Sequence, residues 1–351
     1  MAPSEKTGTD KTGFKPKAIV RKLLASLPER SRTVLEARFG LGAATERVTL
    51  ESIGQRYGIT RERVRQIENH ALNALKKSPA FGEASSAFAE LERIVDSLGG
   101  IVCEDDLLNF ITKDKSMQNH IYFLLVLGDP FKYRKEDDEV NRCWYVDPQL
   151  ATKVETALKH LYEGLSDEDL IPEGEMIDRF LKELHDINDK HRNDEVVKRW
   201  LRVSKKIGKN PLGEWGQAHS PNVKTKGIRD YAYLAVKKHG SPLHFREVAQ
   251  LIEKMFNRAA HVATTHNELI KDDRFVLVGR GMYALKEWGY AQGVVRDVIR
   301  NILREQGPLA KDQIVEKVLK ERHVKPGTVV VNLQNQKYFK RDKEGKFTVV
   351  K

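Results

Sequence analysis

Cysteine is almost missing from this chain: Cys103 and Cys143 are the only two in 351 residues. They form no C-x-x-C, and no pair of histidines stands at metal-ligand spacing, so neither a disulfide framework nor a zinc site is expected. Two partly buried thiols are the expectation instead. Long apolar runs are also missing, since no stretch approaches the roughly 18 apolar residues of a membrane span. Met1 to Asp10 is polar and has no apolar h-region, so no secretory signal is expected, and these absences together predict a cytoplasmic protein with no membrane partner. Chemistry-bearing clusters are scarce as well. No Ser/His/Asp, Cys/His or paired-carboxylate arrangement stands out. Gly279-x-Gly281 lacks the third glycine and the strand–helix context of a nucleotide fingerprint. His261 and His266, five apart, do not share a helix face. The chain is therefore expected to be no enzyme and to hold neither metal nor cofactor.

Charge is what the sequence has in excess. Charged residues make up 32% of it, the formal net charge is +11, and the pI is near 9.4. A polyanionic partner suits that balance, because each phosphate neutralised by Lys or Arg releases condensed counterions. The positive charge is spread along the chain as several modest basic faces. The length predicts two or more units.

Residues 1–16, rich in Lys, Thr, Gly and Ser, read as a disordered basic tail. A first domain is expected over 17–82. Ser26 and Glu29 have capping-box spacing; Val34, Leu35, Arg38 and Phe39 continue one helix face, and Gly40 and Gly42 end it. From about residue 88 the chain reads as a repeated unit. Each copy opens with an apolar-periodic helix: Leu91 to Leu98, Val154 to Leu161, Ile228 to Val236, Val294 to Leu303. Two further helices come next, then two short apolar segments about a polar turn, at Phe131 to Val146, Trp200 to Trp215, Arg274 to Leu285 and Tyr338 to Val350. Three short helices and a hairpin are the layout of a winged helix, in which the hairpin gains stability by packing on the helices. The fold predicted is mainly α: a helix-turn-helix domain followed by tandem winged-helix modules at 88–148, 149–222, 226–290 and 291–351. Trp200, Trp215, Tyr283 and Trp288 are expected in the hairpins as core residues. Asp105-Asp106 and Asp167-Glu168-Asp169 read as helix N-terminal charge.

The informative motif spans residues 49–75. Thr49 can cap a short helix through Tyr57, Gly58 supplies a tight left-handed turn, and Thr60 caps a second helix. In that second helix Val64, Ile67, Ala71 and Leu75 make a buried face, while Arg61, Glu62, Arg65, Gln66 and Asn69 lie on the opposite side. A polar face at the N-terminal end of such a helix is what enters the major groove. There Arg pairs with guanine, Gln with adenine, and Glu accepts from cytosine. Arg63 points more sideways, toward a phosphate or a protein acid, and Lys76 and Lys77 are expected to meet phosphates. The competing reading is a solvated helix with ordinary intrahelical ion pairs.

Leu27 to Leu41, followed by Thr49-Leu-Glu-Ser-Ile-Gly and Thr60-Arg-Glu-Arg-Val-Arg-Gln-Ile-Glu68, resembles region 4 of primary bacterial sigma factors over about residues 24–77. The resemblance implies that Arg61, Glu62, Arg65 and Gln66 read the minus-35 element of double-stranded promoter DNA. It also implies docking on the RNA polymerase core, with the first helix pair, around Arg32 to Phe39, facing the flap of the beta subunit. The aromatic- and acid-rich region that melts the minus-10 element is not legible here, so sigma-type initiation by this chain alone is not expected. Residues 226–290 resemble the HARE-type winged helix found in the RNA polymerase delta subunit. That likeness rests on Arg229-Asp-Tyr-Ala-Tyr-Leu, Gly240-Ser-Pro-Leu-His-Phe-Arg-Glu-Val-Ala249 and Phe275 to Trp288. It implies DNA or polymerase association. In the same stretch Ser241 is expected to cap a helix with Pro242 at its first position, and Arg280, at the wing turn, could meet a phosphate. The function expected is a sigma-like, nucleoid-associated transcription factor that binds promoter DNA and polymerase. Two alternatives are an accessory protein that competes for the flap and the recognition part of a restriction or mobile-element system.

Overall fold

Proline and glycine set the ends of the first helices. In the computed structural model, which describes residues 11–184, 187–290, 294–322 and 324–350, α1 (Pro16–Ala25) opens on a proline, where the missing N–H costs nothing. Ser26 closes it, its hydroxyl donating to the Leu23 carbonyl at 2.8 Å. The capping box expected at Ser26 and Glu29 does not form, because Pro28 stands as N-cap of α2 (Glu29–Phe39). Gly40 ends α2 in the left-handed conformation, with φ 64°. Then come α3 (Leu50–Tyr57), α4 (Arg61–Lys76) and the short α5 (Pro79–Glu83).

Residues 1–10 of the expected tail lie outside the described residues; residues 11–15 are packed. The Lys11 N–H donates to the Ile111 carbonyl at 3.2 Å and its ammonium sits 3.7 Å from the Phe110 ring centre. Phe14 packs on the apolar core. Basic composition alone does not disorder a segment that carries an aromatic anchor.

The expected repeat is built as helix, short extended segment, two helices and a hairpin. The first copy is α6 (Ser85–Ser97), β1 (Ile101–Cys103), α7 (Glu104–Ile111), α8 (Lys115–Leu127), β2 (Lys132–Arg134) and β3 (Cys143–Tyr145), with sheet order β1-β3-β2, all antiparallel. The second is α9 (Pro148–Glu163), α10 (Glu173–Glu183), α11 (Asp194–Leu201), β4 (Ile207–Lys209) and β5 (Trp215–Gln217), with Ile171 bridging to Trp215 in place of the first strand. The third is α12 (Ile228–His239), β6 (Leu243–His244), α13 (Phe245–Phe256), α14 (Val262–Lys271), β7 (Phe275–Gly279) and β8 (Met282–Leu285), ordered β6-β8-β7. The fourth is α15 (Val295–Gln306), α16 (Lys311–Glu321), α17 (Pro326–Leu333), β9 (Phe339–Arg341) and β10 (Phe347–Val349), with Leu309 bridging to Phe347. The fold is mainly α with small antiparallel sheets, as expected.

Local details differ from the expectation. Trp200 and Leu201 end α11 instead of starting a strand, and the fully buried Trp200 indole donates to the Gly99 carbonyl at 3.0 Å. Trp288 lies in a 3-10 turn after β8. Asp167 to Asp169 precede β-bridged Ile171 and head no helix; the first-turn acids of α10 are Glu173 and Glu175. His244, not Ser241, caps α13, accepting from the Arg246 N–H while Glu247 accepts from the His244 N–H. Cys103 and Cys143 pair across β1 and β3, both buried and unbridged, with Sγ atoms 3.6 Å apart.

The described residues divide into two compact units, the first running to Gly208 and the second taking most of the chain after it, with the exchange at the β4–β5 turn. Within the first unit no break in packing separates 17–82 from 88–148. One core joins Val20, Leu35, Phe39 and Leu75 to Phe88, Leu107, Phe123 and Trp144. α8 is the reason. Seven consecutive residues from Ile121 to Leu127 are uncharged and mostly apolar, and α8 buries them on several sides at once, with α1 and α2 supplying some of the cover.

Candidate nucleic-acid interface

α3 and α4 meet at a turn that two glycines permit. Gly58 takes φ 63°, which favours glycine. Gly54 passes so close to the turn that an added Cβ would lie 2.6 Å from the Ile59 carbonyl oxygen. Threonines fix both helix starts: Thr49 Oγ1 accepts from the Ser52 N–H and Thr60 Oγ1 from the Arg63 N–H, each at 3.2 Å. Beneath the turn Val34, Ile53 and Val64 form a small core, with Val48, Leu50, Ile59 and Ile67 packed against it. The second half of α4 sends Ala71 and Leu75 into the larger shared core. α4 is thus held at both ends.

This anchoring leaves Arg61, Glu62, Arg63, Arg65, Gln66 and Asn69 exposed together on α4, as the spacing predicts. Glu62 organises the patch. Its two oxygens accept from the Arg65 Nη2 and Nε at 2.7 and 2.8 Å, and Gln66 Nε2 lies 3.5 Å from Oε1. The hydrogen bond from Arg65 holds the Glu62 carboxyl below its ordinary range, and Glu62 in turn raises the Arg65 guanidinium. Arg63 donates to Gln66 Oε1 at 3.1 Å. The intrahelical ion pair of the competing reading is therefore present, and it occupies the Arg65 Nε and Nη2 donors. Both partners are more than half exposed, so the pair adds little stability and parts readily.

The Lys76 ammonium pairs with Asp129 at 2.5 Å, in the turn after α8, with both side chains more than a third exposed. Lys77 is exposed and makes no ion pair among the described residues. Arg280 is exposed at the β7–β8 turn, where Gly281 has φ 74°. It belongs to the second compact unit and is not among the residues of the α4 patch.

Polar residues with no local sequence signal hold the loop between α2 and α3. Arg47 stacks 3.7 Å from the Tyr122 ring centre and donates to Asn119 Oδ1 at 3.0 Å, while Asn119 Nδ2 donates to the Gly40 and Thr45 carbonyls at 3.0 and 2.8 Å. Glu104, 4% exposed, accepts from the Trp144 indole at 3.2 Å and lies 3.9 Å from Arg47 and 3.7 Å from Arg142. Burial pushes Glu104 up, with Arg142 and Arg47 opposing it, and burial lowers Arg47. Arg38 reaches Glu68 of α4 at 3.5 Å; burial raises the Glu68 carboxyl, with Arg38 opposing it. The first helix pair is covered in part: Val34, Leu35 and Phe39 of α2 are buried, while Arg32, Glu36 and Arg38 are half-buried. Leu35 is fully buried, and Phe39 packs on Phe123 with ring centres 5.1 Å apart. Among the described residues no group of three or more His, Cys, Asp or Glu could hold a metal, and no helix is long and apolar enough to cross a membrane.

A capped helix pair with a glycine turn, a small core beneath it and an exposed charged second helix defines a helix-turn-helix domain. Residues 23–77 match the family described as Sigma-70, region 4, and form such a domain. Over 55 residues the chain is 46% identical to the RNA polymerase principal sigma factor HrdD of Streptomyces viridifaciens, covering 16% of each chain. Over 66 residues it is 46% identical to the RNA polymerase sigma factor RpoD of Helicobacter pylori, covering 19% of this chain and 10% of that protein. The chain thus spans about a sixth or less of the length of these curated relatives.

Proposed function

We propose that this protein is a non-enzymatic, sigma-like transcription factor of the cytoplasm and nucleoid, in which α4 reads a minus-35-type promoter element. The observation that carries this reading is the exposed Arg61, Glu62, Arg65 and Gln66 set, presented by a helix-turn-helix that matches Sigma-70 region 4. Arg65 pairs bidentately with guanine once Glu62 releases it, and Gln66 suits adenine. Because the similar proteins are named as RNA polymerase sigma factors, polymerase core is the protein partner proposed. The winged-helix units, including the HARE-like one at 226–290 with Arg280 at its turn, supply further association with DNA or polymerase.

Covering of the first helix pair by α8 weighs against the alternative in which the protein works chiefly by competing for the flap. The open remainder of that face is a groove of about 680 Å3 lined by residues such as Arg21, Arg32, Glu36, Leu41 and Met117. Fluorescence anisotropy of the full chain on a minus-35 duplex and on its scrambled counterpart tests the proposal. Tighter binding to the promoter sequence is expected, by at least tenfold, or about 1.4 kcal/mol. Equal affinity for the two would refute it.

A further inference from the structure

Helix α1 carries its charge against its own dipole. Lys15 is its N-cap and makes no side-chain hydrogen bond there, and the first turn holds Lys17 and no acid. A helix N-terminus is already positive, so two lysines beside it leave negative charge wanting. The same helix borders a groove of about 680 Å3, completed by α2 and α8, in which Lys or Arg supplies four lining residues and Glu36 the one acid. Lys17 and Arg21 are exposed, Arg32 is half-buried, and none of the three makes an ion pair among the described residues. Leu24, Leu41 and Met117 give the groove an apolar side. His120 lines it as well, although only 6% exposed. Its Nδ1 donates to the Ser116 carbonyl at 2.7 Å, and its Nε2 has no hydrogen-bond partner among the described residues. Burial lowers the His120 pKa, with the Ser116 bond opposing it, so the ring is neutral at about pH 7 and Nε2 is an acceptor.

We propose that this groove binds a nucleoside phosphate, with its phosphates held by Lys17, Arg21 and Arg32 and a ribose hydroxyl donating to His120 Nε2. Each part of the groove calls for a different part of such a ligand. Unpaired ammonium and guanidinium groups beside a helix N-terminus select phosphate. A nearly buried neutral acceptor is left unsatisfied by a polyanion with no hydrogen to donate, and a hydroxyl satisfies it. The apolar side suits a flat base, and the volume lies within the roughly 300–1,000 Å3 of small-molecule sites. Inorganic phosphate meets only the first of these demands, and a free nucleoside only the other two. Duplex DNA does not offer the three together, because its bases are stacked and its sugars lack the 2′ hydroxyl. None of these residues belongs to the exposed set on α4, so the site is separate from promoter reading.

The test is competition anisotropy on the full chain, with a fluorescent adenosine triphosphate displaced by adenosine triphosphate, guanosine triphosphate, inorganic triphosphate or adenosine. A nucleoside triphosphate should bind more tightly than either fragment by about tenfold or more, a difference of about 1.4 kcal/mol. Lys17→Gln combined with Arg21→Gln should weaken that binding by roughly tenfold or more, because one hydrogen bond to a charged group supplies about such a factor. Lys22→Gln removes an exposed α1 cation that pairs with Glu83 outside the groove, and it should leave the affinity unchanged. His120→Phe should weaken nucleoside triphosphate binding and leave that of inorganic triphosphate as it was, a split that loss of folding does not produce. Should that buried change prevent folding, the exposed double variant still decides. No nucleotide binding, or equal affinity for nucleoside triphosphate and inorganic triphosphate, would overturn the proposal. So would nucleotide binding intact in the double variant with polymerase-core capture reduced, because that outcome assigns the groove to a protein surface. Promoter-duplex binding by the double variant should persist, so failure of the α4 reading shows separately.

Discussion

α4 and α14 each end a group of three helices and each is anchored from below, yet they present opposite chemistry to solvent. α4 exposes Arg61, Glu62, Arg65 and Gln66 within its first turns, with Glu62 hydrogen-bonded to Arg65 and in reach of Gln66. α14 exposes Val262, Ala263, Thr264, Asn267 and Ile270, with one cation at its end. The supports differ too. α4 is closed by a core that continues into the next repeat, and α14 by its own repeat, where His266 meets Tyr283 edge-on at 5.9 Å. Shared geometry therefore sets where a helix is displayed, and residue type sets what it can bind.

Unequal consequences of core damage would sharpen that comparison most. Phe123→Ala and Tyr283→Ala each remove a buried aromatic ring, a change that typically costs about 3–5 kcal/mol. Phe123 sits in the core that also holds Ala71 and Leu75 of α4, so its loss should abolish promoter-duplex binding. Replacing Tyr283, a buried residue of β8, should destabilise the second compact unit while promoter-duplex binding survives. Thermal unfolding and anisotropy on the same samples would measure both. Loss of binding in both variants would break the distinction and mean that the two units share their stability.

The two regions should also respond to pH with opposite signs. Glu104, in the network beneath the α2–α3 loop, is raised by burial, so the folded state favours its proton. Its contribution is fully present below the unfolded-chain pKa and is lost as pH rises through the raised folded value. In the second unit Arg274 binds Asp272 and Asp230 at 2.6 and 3.0 Å and pins the hairpin to α12. Burial alone would raise Asp272, but the hydrogen bonds and charge of Arg274 outweigh it and lower the carboxyl. That contribution is present above the ordinary carboxylate range and is lost as pH falls through the lowered value. Acidification below the ordinary carboxylate range should therefore weaken the second unit's transition, and Glu104→Gln should flatten the first unit's decline as pH rises above that range. Differential scanning calorimetry from about pH 2 to pH 7 tests both. A first-unit transition in Glu104→Gln that keeps the wild-type slope would contradict the assignment.

Much of this was legible in residue spacing. Thr49, Gly58 and Thr60 mark the turn because their caps and the left-handed turn are local chemistry, and Val64, Ala71 and Leu75 follow the helical period. The repeat was visible because each hairpin alternates about a polar turn. What spacing did not carry was partnership across distance. Asn119 grips the Thr45 carbonyl from 74 residues away, and Lys76 is paired by Asp129 from 53. Neither leaves a local trace. Gly54 had a signal, a small residue five before Ile59, but its cause is an approach visible only once the turn is folded. The boundary expected between 82 and 88 does not divide the core, because α8 is apolar on more sides than one amphipathic helix needs. A single-face reading does not ask what covers the other sides.

Base reading by α4 is the central claim, and Arg65→Ala compared with Lys77→Ala tests it most directly. Both side chains are exposed, so neither change should disturb the fold. Competition anisotropy on a promoter duplex and a scrambled duplex, repeated across salt concentrations, separates specific from general binding. Arg65→Ala should cost about 1–3 kcal/mol on the promoter sequence and relax the preference for it. Lys77→Ala should weaken both duplexes alike and flatten the salt slope by about one. Equal losses on the two duplexes for Arg65→Ala would contradict the account and leave α4 as a solvated helix held by its own ion pair.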